Sequence, residues 1–229
     1  TEVAALPAGQ VLAASGESVV YHARARPIPR VLREIGRLRE VTFRATGEGT
    51  GKAIDLDTFD YDYVHLFLWD RKGRRVVGAY RLGATDEILP AKGRQGLYTA
   101  TLFDYREGRR ERRTPGRELW RSYIRQEDQR GFTPLLLLWR GVCTYVARNP
   151  RYRMLFGPVS ISNDYQSVSK QLMVRFLMAH HGDAGLAEMV RPRNPFAVRE
   201  IAGCEAAGVE AMLKDTDDAS SIVAELEPD

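Results

Sequence analysis

Apolar residues recur at helical spacing after Pro27. Ile28, Val31, Leu32, Ile35, Leu38 and Thr42 share one side, with Arg33, Glu34, Arg37, Glu40 and Arg44 on the other. The spacing predicts an amphipathic helix ending near Gly47. Pro29 suits its first turn, where a missing N–H costs nothing. Two apolar runs, 64–69 and 75–82, flank the turn-rich DRKGR joint and predict an antiparallel hairpin. Residues 97–103 read as a third strand and 118–124 as a fourth. A helix is predicted from about 134 to 148, with LLLLWRGVCTYVA at 135–147 as a buried core helix. YRMLFGPVSI at 152–161 reads as a buried strand, and 165–180 as a further helix capped by Asn163 or Asp164. A hairpin-rich start followed by strand–helix–strand–helix implies an α/β (α+β) mixed, mostly antiparallel sheet with helices on its faces.

The first 20 residues are small and weakly patterned, and residues 1–27 read as a linker-like lead-in to a domain over 28–204. The chain begins with Thr1 and shows no signal peptide, which suggests a piece of a longer protein. Of 34 Lys+Arg and 30 Asp+Glu, residues 205–229 hold one base and eight acids. That leaves 33 bases and 22 acids, a net of +11, on residues 1–204. A basic body with an acidic C-terminal segment suits an anionic partner such as an acidic protein or lipid surface. No stretch has the roughly 18–20 apolar residues of a membrane span, so the cytoplasm is the expected compartment, with peripheral membrane contact compatible. Cys143 and Cys204 form no disulfide framework, and Cys143 sits among apolar neighbours as a core thiol. With four His and no ligand spacing, no metal site is expected. Nucleic acid finds no recognition motif or aromatic–basic platform.

The candidate chemistry lies in charged residues at apolar places. Asp55, Asp57 and Asp60 form a D-x-D-x-x-D run, by itself a solvated loop or a weak cation site. Arg81 ends an apolar strand and needs a partner, and the acidic trio is the nearest supply. Glu118 and Arg121 are three apart on one strand, so regular alternation sends them to opposite faces.

In order, Arg39 and Phe43 of LREVTF, the three aspartates, Arg81 of GAYRL, then Glu118 and Arg121 of ELWR resemble the acyl-homoserine-lactone synthases. The resemblance is closer to the ornithine-lipid N-acyltransferases and hemolysin-like acyltransferases. It rests on EIGRLREVTFRATGEGTGK, ELWRSYIRQEDQRGFTPLLLLWRGV and LFGPVSISNDYQSVSKQL, and covers about 28–200. It implies a GNAT-like fold, a long, 3-hydroxylated or other acyl group on acyl carrier protein, and an amino-acid acceptor such as ornithine, in bacterial aminolipid synthesis. Coenzyme A is the other donor, and no tightly bound cofactor is implied. The family often has E-L-G-R-S where this chain has ELWRS, with Trp120 for Gly. Further strands enclosing the acyl chain are expected beyond Asp229.

Within that reading, Asp57 and Asp60 would bind or deprotonate the acceptor ammonium, directly or through water. Glu118 is the second candidate base, with Arg121 as its structural partner. Arg81 would hold the carboxylates or the acceptor's carboxylate, and Arg39 and Phe43 would line the same cleft, with Asp55. Gln129, Arg130 and Gly131, before the long helix, would receive the phosphopantetheine phosphate on free backbone N–H groups. The Arg-rich loop 106–117 would dock acidic carrier protein or lipid head groups. A thioester is already activated, so no nucleophilic side chain is needed. Alternatives are homoserine-lactone synthesis, a coenzyme A-dependent GNAT, and a basic membrane- or nucleic-acid-binding module without catalysis.

Overall fold

The structure, a computed structural model, describes residues 2–106, 115–199 and 216–227. Most of the Arg-rich loop and most of the acidic C-terminal segment, with Cys204, lie outside them.

The chain divides into two compact units, the first made of residues 1–101 and 108–158. It holds a six-stranded sheet: β1 (Val11–Ser15), β2 (Ser18–Arg24), β3 (Val64–Asp70), β4 (Arg75–Ala84), β6 (Gly116–Ile124) and β7 (Met154–Phe156), in that spatial order. All pairs are antiparallel except β6 with β7. The second unit holds a two-stranded ribbon, β5 (Phe103–Tyr105) against β8 (Val190–Pro192), with helices α4 (Ser167–His181), α5 (Ala184–Ala187) and α6 (Thr216–Leu226). Its small core is Leu172 and Phe176 against Ala219, Ile222 and Leu226.

The lead-in segment is structured. Val19, Val20, Tyr21 and Ala23 are buried, and β2 pairs with β3 along its whole length. Gly16, at φ 55°, makes the two-residue β1–β2 turn. Small residues in β1 masked the strand period, although the S-G-E-S turn signal was present.

Alternation along the strands separates two cores. Val19, Tyr21, Phe67 and Ala79 face α1 (Pro29–Ala45), which buries Val31, Ile35 and Leu38. Val20, Leu66, Leu68 and Leu82 pack with Leu137, Leu138 and Val142 of α3 (Thr133–Ala147). Pro29 stands at the N-terminus of α1, where the Glu2 carboxylate accepts the N–H groups of Arg30 and Val31.

Several local expectations are corrected. Residues 98–101 form a 3-10 turn, because their N–H groups serve a buried carboxylate; only Phe103–Tyr105 is a strand. The 152–161 strand shrinks to Met154–Phe156, largely exposed. Gln166 precedes α4 without a side-chain cap, and Ser162 bonds Asp164 instead. Cys143 is exposed, because α3 buries one face only. A short α2 (Thr85–Lys92) follows β4.

Candidate active site

Three arginines and three aspartates converge on the α1 side of the sheet. Arg39, one turn from the end of the buried stripe of α1, donates Nε to Asp55 (3.0 Å) and Nη1 and Nη2 to Asp60 (3.0 and 2.8 Å). It also bonds the Asp55 carbonyl oxygen. Arg81 on β4 reaches Asp57 (2.7 Å) and Asp60 (3.1 Å) through Nη1. Arg121 on β6 lies 3.4 Å from Asp55. Formal charges cancel, which lets such a cluster persist away from water.

The aspartates are presented by a short 3-10 turn, Thr58–Tyr61. Asp57 accepts the N–H of Asp60 (3.2 Å), and Asp60 accepts the N–H of Asp57 (2.9 Å), a reciprocal capping box. His65 on β3 contacts the Asp60 carbonyl through Nε2 at 2.7 Å.

The carboxylates differ in access. Asp60 is fully buried. Burial alone would raise its carboxyl, but Arg39 and Arg81 outweigh burial and hold it below the ordinary range. Asp57 keeps 29% of its side chain exposed. Glu118 is fully buried and accepts from the Tyr63 hydroxyl and the N–H groups of Tyr98 (3.1 Å) and Thr99 (2.6 Å). Burial, then the Glu118 charge, pushes the Tyr63 hydroxyl well up. Burial pushes the His65 imidazole down to about 4.

Glu118 and Arg121 do not partner each other, and they do not go to opposite faces. Ala79 pairs with Tyr123 and Arg81 with Trp120, so Arg121 and Ser122 together oppose Tyr80. This bulge, with Arg121 at φ 57°, resets the alternation. Arg121 therefore reaches Asp55 and stands 5.2 Å from the Phe43 ring. The left-handed residue costs about 1–3 kcal/mol. Trp120 is accommodated by stacking on Tyr98, with ring centroids 4.3 Å apart.

An aromatic surround was not foreseen. The Arg81 guanidinium lies 5.7, 5.3 and 5.7 Å from the rings of Phe59, Tyr63 and Tyr98. Its Nε and Nη2 find no acceptor, and neither does Nε of Arg121. The aromatics interleaved with acids in DTFDYDY were the available signal.

The loop before α3 holds the other expected residues. Gln129 folds back, donating Nε2 to the Ile124 carbonyl (2.7 Å). Arg130 and Gly131 are exposed, and the N–H groups of Arg130, Gly131 and Phe132 have no backbone acceptor among the described residues. Beside this loop, β6 and β7 pair only over Gly116–Glu118 and Met154–Phe156, while β6 runs on to Ile124. Among the described residues, no group of three His, Cys, Asp or Glu is arranged to hold a metal, and no helix is long and apolar enough to cross a membrane.

Residues 38–140 match the family model described as the acetyltransferase (GNAT) domain. The match and the mixed, mostly antiparallel sheet with its helices give this chain the architecture of a GNAT-type domain. The chain is similar to two proteins named glycine N(alpha)-acyltransferase. The one from Phocaeicola vulgatus is 32% identical over 74% of this chain and 55% of its own length. The one from Bacteroides thetaiotaomicron is 33% identical over 73% and 52%. The chain thus spans about half the length of these curated relatives. A solved aminoglycoside acetyltransferase from an uncultured soil metagenomic sample, in complex with trehalose, aligns over 83% of this chain and 99% of its own, with 10% identity and a TM-score of 0.40.

Proposed function

We propose that this chain transfers a long acyl group from a phosphopantetheine thioester, on acyl carrier protein or coenzyme A, to the α-amine of a small amino acid. One observation carries the acceptor assignment. Asp57, the one partly open carboxylate of the network, sits 2.7 Å from Arg81, whose remaining N–H groups have no acceptor. Arg81 and those N–H groups are buried, so Arg81 holds Asp57 in place, and the exposed part of the Asp57 carboxylate is what meets an ammonium. The glycine N(alpha)-acyltransferase name of the two relatives favours glycine, and ornithine is the other candidate.

Asp57 takes a proton from the acceptor ammonium, directly or through water. The free amine then attacks the thioester carbonyl, the C–N bond forms, the C–S bond breaks, and the thiolate leaves with a proton. Asp60 and Glu118 receive different roles from those the sequence suggested. Asp60 has no accessible surface and anchors Arg39 and Arg81. Glu118, its oxygens committed to Tyr63, Tyr98 and Thr99, fixes the 98–101 turn and the aromatic wall. The parting of β6 from β7 suits the donor's pantetheine arm, and the open N–H groups at 130–132 suit its phosphate. Aminolipid synthesis is the role that a long acyl group on an amino acid serves.

The test is incubation of this chain, and of a longer protein containing it, with 3-hydroxyacyl carrier protein or acyl-coenzyme A and glycine, ornithine and other amino acids. Mass spectrometry reads the N-acyl product. No product from any donor–acceptor pair, in either form of the protein, refutes the proposal.

A further inference from the structure

The helix α3 carries more apolar surface than its packing uses. Leu137, Leu138, Gly141, Val142 and Tyr145 are buried toward the sheet. On the other side, Phe132 is 82% exposed, Leu136 64%, Trp139 44% and Leu135 43%. Positions 132, 135, 136 and 139 follow i, i+3, i+4 and i+7, so they form one stripe across two turns. Scattered apolar residues on a surface are ordinary, but a contiguous stripe marks a contact. Arg130 and Arg140 flank it, both exposed and without an ion-pair partner among the described residues.

We propose that this stripe is a membrane-contact surface that seats the domain on an anionic bilayer. The chemistry fits an interface: an aromatic and leucine face to enter the acyl boundary, and two free guanidinium groups to meet anionic head groups. Trp139, at the C-terminal end of the stripe, suits the head-group level, and its ring meets Tyr80 edge-on at 6.1 Å. Charge complementarity favours an anionic bilayer: Arg130 and Arg140 have no ion-pair partner among the described residues, whereas the exposed acid of the preceding loop, Glu127, is paired with Arg125. The surface is separate from Asp57 and Arg81 and does not rest on the acyl-transfer reading, although it shares Arg130 and Phe132 with the loop proposed for the donor phosphate.

The probe is co-sedimentation with 100-nm vesicles of phosphatidylcholine alone or with about a third phosphatidylglycerol. The expected result is binding to the anionic vesicles, with a blue shift of tryptophan emission that Trp139→Phe removes. Phe132→Ser with Leu136→Ser should weaken binding at least tenfold, and Arg130→Gln with Arg140→Gln should weaken it several-fold and flatten its salt dependence. These side chains are exposed, so circular dichroism should remain unchanged. Absence of binding to anionic vesicles, or unaltered binding by the serine variant, overturns the proposal. So does a wild-type dimer that the serine variant converts to a monomer, which would make the stripe a contact between two copies.

Discussion

The imidazole of His65 offers a quantitative check on the network beneath the candidate site. It is fully buried, touches the Asp60 carbonyl, and has Nδ1 without a partner. Its folded value is pushed down to about 4, from an ordinary 6.5, chiefly by burial. Between those values the unfolded chain binds a proton that the folded chain refuses. Stability is therefore unaffected above 6.5, falls as pH drops from 6.5 to about 4, and loses nothing more from this group below that. At about 1.4 kcal/mol per pH unit, the interval is worth about 3.5 kcal/mol. Urea unfolding followed by circular dichroism between pH 7.5 and 4.5 should show the midpoint falling by roughly 1–2 M. In His65→Gln, whose amide can still donate to the Asp60 carbonyl, most of that slope should vanish. The depressed Asp60 carboxyl acts separately: its contribution is present above its unfolded value and lost only below about pH 4. A wild-type midpoint that is flat from pH 7 to 4.5, or an equal slope in the variant, would refute the reasoning.

Other substitutions separate chemistry from architecture. Asp57→Asn keeps a good cap for the 58–61 turn and should cost about 1 kcal/mol of stability, while N-acyl product formation falls by about 100-fold or more. Asp60→Asn should instead cost about 3–5 kcal/mol in denaturant unfolding, because it strands Arg39 and Arg81. Glu118→Gln places an amide N–H against a backbone donor and should cost about 2–4 kcal/mol; a double-mutant cycle with Tyr63→Phe should show coupling. Gly157→Ala would bring its Cβ to 2.0 Å from the Leu119 carbonyl oxygen. Thermal unfolding should show a loss of about 1–3 kcal/mol where β6 and β7 part.

Much of this molecule was legible in order and spacing. The α1 stripe, the β3–β4 hairpin and the helix at 133–147 follow from periodicity. The need of Arg81 for a partner led to Asp57 and Asp60, because a charge in an apolar strand must be answered nearby. What escaped notice depends on contacts made far along the chain. Strands β1 and β2 owe their place to pairing with β3, and their Ala and Ser positions carry little period. Tyr98 and Thr99 leave the expected strand because Glu118, 20 and 19 residues away in sequence, accepts their N–H groups. Glu40 reads as a solvated helix residue, yet Thr50, Gly51 and Arg44 bond it beneath the Gly-rich loop. The bulge at Arg121 has no local signature, since neither Gly nor Asn occupies the left-handed position.

That bulge sets strand regularity against the site. Deleting one residue from 120–122 would restore even pairing of β6 with β4 and relieve the left-handed backbone. Glu118 and Tyr123 would keep their faces, but the single residue left opposite Tyr80 would point with Tyr80 to the other face, away from Asp55 and Glu118. A change that improves the sheet as a sheet would dismantle the charge network. Length polymorphism at these three positions is therefore a sharper marker of lost chemistry than any single replacement among the charged residues.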